Sequence, residues 1–186
     1  MTRDRVVTAA VELLSRGDAA EIGMQDVADH AGVSVRTLYR NFATREELFD
    51  TVVGAIRDRM TEMAGPPPSA LARQVDATHD AVRAVFELEP LYRALFATQA
   101  GRESHQRGAR GRRAAMTKSM AAEVEGLSDD EVRLFTSLLH VVTSSTSVLF
   151  LKDYWGLDAD EAGQVLQWGV GVLLDAMRDP ERRRQL

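Results

Sequence analysis

The chain has 186 residues, 45% of them hydrophobic and 27% charged, enough for one or two small domains with a substantial core. A net charge of −5 argues against general coating of nucleic acid but is neutral on specific binding, which depends on where the charges lie. With no cysteine, disulfides, thiol nucleophiles and thiolate metal sites are excluded; no stretch approaches about eighteen uncharged apolar residues, and the N-terminus lacks the apolar core of a signal peptide, so a cytoplasmic protein without membrane contact is expected.

In chain order, helix one is predicted over about residues 2–16, with Val6, Ala9, Ala10, Leu13 and Leu14 on its buried face. Helix two follows over about 24–31, helix three over 35–41 and helix four over 45–63. Between helices two and three, Gly32 can adopt the left-handed conformation that ends a helix. Val33 is placed to plug the angle between the helices, and Ser34 is a good N-cap for the third. Leu38 and Phe42 face inward, which leaves Arg36, Thr37, Arg40 and Asn41 pointing outward and Val35 and Tyr39 at the edges. Thr44 with Glu47 is a capping box that starts helix four. A short helix, a glycine turn and a second helix bearing arginines read as a helix-turn-helix. Residues 1–50 carry six arginines against nine acids, but Arg36, Arg40 and Arg45 crowd the second half of this segment.

The run from Ala31 to Leu48 closely resembles the DNA-binding segment of TetR-type (TetR/AcrR) transcriptional repressors, and Arg5–Leu14 with Gly17 looks like that family's first helix. The likeness covers about the first fifty residues and rests on Gly-Val-Ser, Leu-Tyr and Phe at the family's spacing. Asn41 stands where a histidine is common, Arg45 where a lysine is common, and Gly23 where a Thr or Ser cap is usual. The resemblance implies that Val35, Arg36 and Thr37 face bases. Arg36 could bond a guanine edge, and Val35 or the Thr37 methyl could touch a thymine methyl. Tyr39, Arg40, Asn41 and Arg45 would hold phosphates, Ser34 at the start of the recognition helix is counted among the DNA-binding residues, and Gln25 would reach a base or phosphate. Solvent exposure without contact is the alternative for each.

Gly65-Pro66-Pro67-Pro68 is the clearest break in the chain. The domain boundary is expected there, with a helix-turn-helix domain over 1–48, helix four connecting, and a helical ligand-binding and dimerisation domain over 66–186. Further helices are predicted over about 69–88, 90–99, 114–125, 129–153 and 159–178, with residues 101–113 read as an arginine- and glycine-rich loop. Ser128–Glu131 and Asp158–Glu161 are capping boxes for the last two. No strand-like alternation occurs, so the fold expected is all-α: an N-terminal three-helix domain joined by a connecting helix to a C-terminal helical bundle.

On helix 159–178, Ala162, Val165, Leu166, Gly169, Val172, Leu173 and Ala176 form a stripe too wide for a helix covered by its own domain alone. With Leu149 on the helix before, they fit either a buried core or a four-helix homodimer interface; the family resemblance implies the interface, which suits two half-sites of an operator. The hydroxyl run Thr143–Ser147 fits close packing or bonding back to the preceding turn. Alternatively Thr143, Thr146 and Ser147 line an apolar pocket with Phe86, Leu91, Tyr92, Phe96, Met116, Met120 and Phe150, matching the ligand domain implied by the resemblance. The basic segment 102–118 reads as a solvated loop or as the mouth for an anionic effector.

The four histidines are scattered without metal-ligand spacing, and no nucleophile motif or phosphate-binding glycine loop occurs. No catalytic residue, metal or cofactor is expected. The function expected is a homodimeric one-component regulator, most simply a repressor, that binds double-stranded operator DNA and is released by a small apolar or amphipathic effector. A DNA-binding regulator without an effector, or a helical interaction protein with a degenerate motif, remain as alternatives.

Overall fold

In a computed structural model, residues 2–16, 22–68 and 70–183 are described; Gly17, named above for its family likeness, lies outside them. Eleven helices are described: α1 (Thr2–Ser15), α2 (Met24–His30), α3 (Val35–Asn41), α4 (Arg45–Ala64), α5 (Ala72–Glu87), α6 (Glu89–Ala97), α7 (Gln99–Glu123), α8 (Asp129–Val142), α9 (Ser145–Trp155), α10 (Ala159–Arg178) and α11 (Pro180–Arg183). There is no strand among the described residues, and the all-α expectation is borne out. No single described helix is long and apolar enough to cross a membrane; α8 and α9 pass that test only jointly, across a 47° bend.

The chain divides into two compact units, Met1–Arg59 with Leu88–Ala109, and Met60–Glu87 with Arg110–Leu186. The division departs from a simple cut at Gly65–Pro68, because residues 88–109 return to the first unit. Packing explains this: Leu95 and Ala100 form a buried cluster with Phe49 and Val53, and Ser104 and Arg107 both donate to the Asp50 carboxylate.

The segment 101–113 is a correction to the sequence reading: it is helical, the middle of the 25-residue α7. Glycines in a helix cost roughly 1 kcal/mol each, but Gly101 is required by a backbone neighbour, whereas Gly108 meets only the movable end of an arginine. A Cβ on Gly101 would lie 2.2 Å from the Leu95 carbonyl oxygen, and one on Gly108 would lie 2.9 Å from Arg57 Nη2. Gly101→Ala is therefore expected to destabilise the protein by about 1–3 kcal/mol, as overpacking does, measurable as a lowered thermal midpoint. Gly111→Ala, with open space around it, is the control and should raise the midpoint slightly.

Asp50 carries a pH-dependent part of this packing. Burial opposes its ionisation, but the hydrogen bonds from Arg107 and Ser104 prevail and hold its carboxyl below the ordinary range. A depressed carboxylate pKa contributes stability above the unfolded value, about 4, and loses it as pH falls through the folded value. Asp50→Asn should accordingly flatten the acid limb of a stability–pH profile and leave its neutral plateau little changed in slope.

The second unit is built on Leu71, Met120, Val124, Val132, Phe135, Leu139, Val170, Leu174 and Met177, all buried together. Both capping boxes form: Ser128 with Glu131, and Asp158 with Glu161. The helix expected over 129–153 is broken in two. Ser144 Oγ accepts from the Ser147 backbone N–H at 3.1 Å and so caps α9, while Thr143 Oγ1 donates to the Leu139 carbonyl at 2.8 Å. The hydroxyl run is thus a helix stop followed by a helix start. α10 lies close along α5, since a Cβ on Gly163 would fall 1.9 Å from His79 Cδ2.

Candidate nucleic-acid interface

α2 ends at a left-handed glycine. Gly32 has φ 62°, its N–H donates to the Asp29 carbonyl at 3.1 Å, and the Val33 N–H reaches back to the Ala28 carbonyl at 3.0 Å. This doubly bonded helix stop needs a residue tolerant of positive φ. Ser34 Oγ then accepts from the Thr37 N–H at 3.1 Å, and α3 begins. Val27, Ala28, Ala31, Leu38 and Phe42 are buried beneath the turn. At the start of α2, Gly23 offers no side-chain cap, and the Asp26 carboxylate instead accepts from the Gly23 N–H at 2.8 Å.

Two arginines that the sequence reading did not single out hold this motif against α1. Arg5 donates to the Ala31 carbonyl at 2.7 Å. Arg3 donates to the carbonyl of Asn41, bonds Glu47 at 3.3 Å, and sits 4.1 Å above the Phe42 ring. Each neutralises carbonyls at a helix C-terminus, where a cation is favoured. Their partners lie tens of residues away, so only hydrogen-bond accounting at the ends of α2 and α3 would have suggested them.

The outward side of α3 carries Arg36, Tyr39 and Arg40, all exposed. None of the three has a hydrogen bond, ion pair or ring contact among the described residues. Val35 and Thr37 are half-buried beside them. The other predicted contacts are partly engaged within the protein. Gln25 Nε2 donates to Asp29 at 2.8 Å, Asn41 Nδ2 to the Thr37 carbonyl at 2.7 Å, and Arg45 Nη2 to the Ile22 carbonyl at 3.2 Å. The Glu46 and Glu47 carboxylates lie at the start of α4; Glu47 Oε2 accepts from the Ala43 N–H at 2.9 Å, and its own N–H donates to Thr44 Oγ1 at 3.1 Å.

The family model described as "Bacterial regulatory proteins, tetR family" matches residues 6–52, which hold the whole helix-turn-helix and most of α1. The chain is 46% identical over 48 residues to an uncharacterized HTH-type transcriptional regulator of Mycobacterium tuberculosis, covering 26% of this chain and 24% of the relative. It is 32% identical over 56 residues to an HTH-type transcriptional regulator of Saccharopolyspora erythraea, covering 30% and 24%. The matches therefore span about a quarter of the length of these relatives. At the level of fold the likeness runs further. NalD of Pseudomonas aeruginosa, the secondary repressor of the MexAB-OprM multidrug efflux pump, superposes with a TM-score of 0.65 at 20% identity, over 92% of this chain and 94% of that one. A tetR-family regulator from Streptomyces coelicolor gives 0.66 at 19% identity, over 97% and 86%.

The residues considered for a ligand pocket divide between the units. Leu91, Tyr92 and Phe96 belong to the first, where the Phe96 ring lies 5.0 Å from that of His105, edge to face. Phe86, Met116, Met120, Thr143, Thr146, Ser147 and Phe150 belong to the second. Among these, Met120 is buried in the core cluster with Met116 against it, and Phe150 is exposed and stacked on Tyr154 at 5.2 Å. The side chains of Thr143 and Ser147 are spent on the α8–α9 break. The residues considered for a dimer interface also separate. Ala162, Leu166 and Leu149 are buried within their own unit, because the close approach at Gly163 turns that side of α10 toward α5. Gly169, Leu173 and Ala176 are half-buried. Val165 and Val172 are exposed, and so is Trp168, at 73%. They are joined in exposure by Leu134, Leu138 and Val141 on α8 and by Phe150, Tyr154 and Trp155 on α9.

Proposed function

We propose that the protein is a homodimeric, one-component transcriptional regulator, a repressor that acts in the cytoplasm on a partly palindromic operator. The observation that carries this reading is the triad Arg36, Tyr39 and Arg40, exposed and without side-chain partners among the described residues, on a short helix whose start and orientation are fixed by Gly32 and Ser34. α3 enters a major groove. Arg36 reads a guanine edge there, with Val35 and Thr37 against neighbouring bases, and Tyr39 and Arg40 hold phosphates. Asn41, Arg45 and Gln25 contribute through the donors left over from their internal bonds. In domain terms, 1–48 binds DNA, α4 connects, and the remainder carries the effector site and the dimer contact.

Dimerisation is supported by the number of large apolar side chains exposed on α8, α9 and α10, since exposed apolar residues gathered into a patch mark an interaction surface. A two-fold dimer presents two copies of α3 to half-sites about one helical turn, roughly 34 Å, apart. A small apolar or amphipathic effector that prefers the unbound form shifts the population away from DNA by its differential affinity. Selecting bound sequences from random DNA tests the reading: enrichment of an inverted repeat is expected, and recovery of sequences with no shared motif would remove it.

A further inference from the structure

Within the second unit, α7 and α8 leave a cleft of about 430 Å³, inside the size range of small-molecule sites, roughly 300–1,000 Å³. Arg113 and Thr117 line it from α7, and Arg133 and Thr136 from α8. Its apolar wall is Ala121 with Val132. The spacing explains the convergence: residues four apart share one face of a helix, and each helix turns such a face toward the other.

Thr136 is the unusual member. It is 4% exposed, yet its Oγ1 has no hydrogen-bond partner among the described residues. Buried hydroxyls are nearly always paired, and helical threonines here normally bond back one turn, as Thr143 does to Leu139 and Thr78 to Gln74. Thr136 does not. Arg113, exposed at the mouth, makes no hydrogen bond or ion pair among the described residues. Among the described residues Arg133 pairs with Asp130 alone, at 3.3 Å across an open surface, and Asp129 is the one carboxylate in the lining. One turn beyond Thr136, His140 is pushed below its ordinary pKa range chiefly by burial, with a smaller contribution from the charges of Arg112 and Arg113.

We propose that this cleft binds a small organic oxyanion, its charged group held by the Arg113 guanidinium and by the Thr136 hydroxyl once that side chain turns out of its buried position, and its apolar body lying along Val132 and Ala121. The site gives a chemical class to the effector of the regulator reading and depends on that reading for its regulatory consequence, though not for binding itself. The Arg113 guanidinium, which meets no carboxylate among the described residues, sets the sign of the ligand charge, and the Thr136 hydroxyl sets where its oxygen sits.

Calorimetric titration of the full chain with benzoate, and separately with inorganic phosphate, tests this. Saturable one-to-one binding of at least one probe is expected, with Kd at or below about 1 mM. Benzoate binding identifies a carboxylate on an apolar body; phosphate binding without it identifies a phosphate ester. Arg113→Gln and Thr136→Val should each weaken the binding tenfold or more. Thr136→Val should also raise the thermal midpoint of the unliganded protein, since it removes an unpaired buried hydroxyl, so lost binding in that variant does not come from unfolding. Binding that neither substitution alters, or the absence of saturable binding by both probes, overturns the proposal. Retention on selected DNA is measured in parallel without either probe: its failure would remove the regulator reading while leaving a substitution-sensitive anion site standing.

Discussion

Trp168→Glu is expected to turn a dimer into a monomer in sedimentation and to abolish high-affinity operator binding at the same protein concentration. Trp168 projects from α10 with 73% of its surface exposed in the single chain, flanked by Val165 and Val172 on the same helix. A tryptophan of this kind buries about 150–250 Å² in a contact, and central aromatic residues are where interface energy concentrates, at about 2 kcal/mol or more each. In a two-fold interface the substitution counts twice. A combined loss of roughly 4 kcal/mol raises the dimer dissociation constant about a thousandfold, before the repulsion of the two introduced carboxylates is added. Folding should be retained, because the buried side of α10, Ala162, Val170, Leu174 and Met177, is untouched. A Trp168→Glu protein that remains dimeric would place the contact elsewhere.

Arg36→Ala should weaken operator binding by about 1–3 kcal/mol per half-site and relax preference at one base position. Its effect on fold stability should be small, since Arg36 is exposed and has no partner among the described residues. Arg40→Ala provides the contrast. If Arg40 holds a phosphate, its removal should weaken binding almost uniformly across sequences and lower the salt-dependence slope by about one per half-site. Reading both variants on a panel of single-base operator changes at two salt concentrations separates the roles. Equal loss on every sequence for Arg36→Ala would reassign it to the phosphate backbone.

What the sequence made legible was its local chemistry. Gly32, Ser34, Ser128 with Glu131 and Asp158 with Glu161 act on groups within a few residues, so their spacing alone announces them, and α2 ends and α3, α8 and α10 begin where those signals lie. The tetR-type domain was readable for the same reason. What was not legible depends on distant neighbours. Gly101 looks like a loop residue until the Leu95 carbonyl is placed against it. The stripe on α10 was visible, but periodicity does not say which edge of a wide stripe turns inward; the contact of Gly163 with His79 decides that, and it moves Ala162 and Leu166 into the core. Ser144 stood in plain sight as a helix cap, hidden only by the apolar residues on either side. Thr136 carried no signal in the sequence at all, because an unpaired hydroxyl is defined by what surrounds it.

Gly108 and Gly111 bear on time as well as on shape. They flank the Ala109–Arg110 junction, where α7 passes from residues of the first unit to residues of the second. Helical segments poor in strong helix formers open first, and their amides exchange with solvent by local fluctuation rather than global unfolding. The amides near this junction should therefore exchange earlier than those of the Met120–Val124 end, which is anchored in the buried core. The middle of an unbroken helix would then be its fastest clock, with the slow amides gathered toward one end.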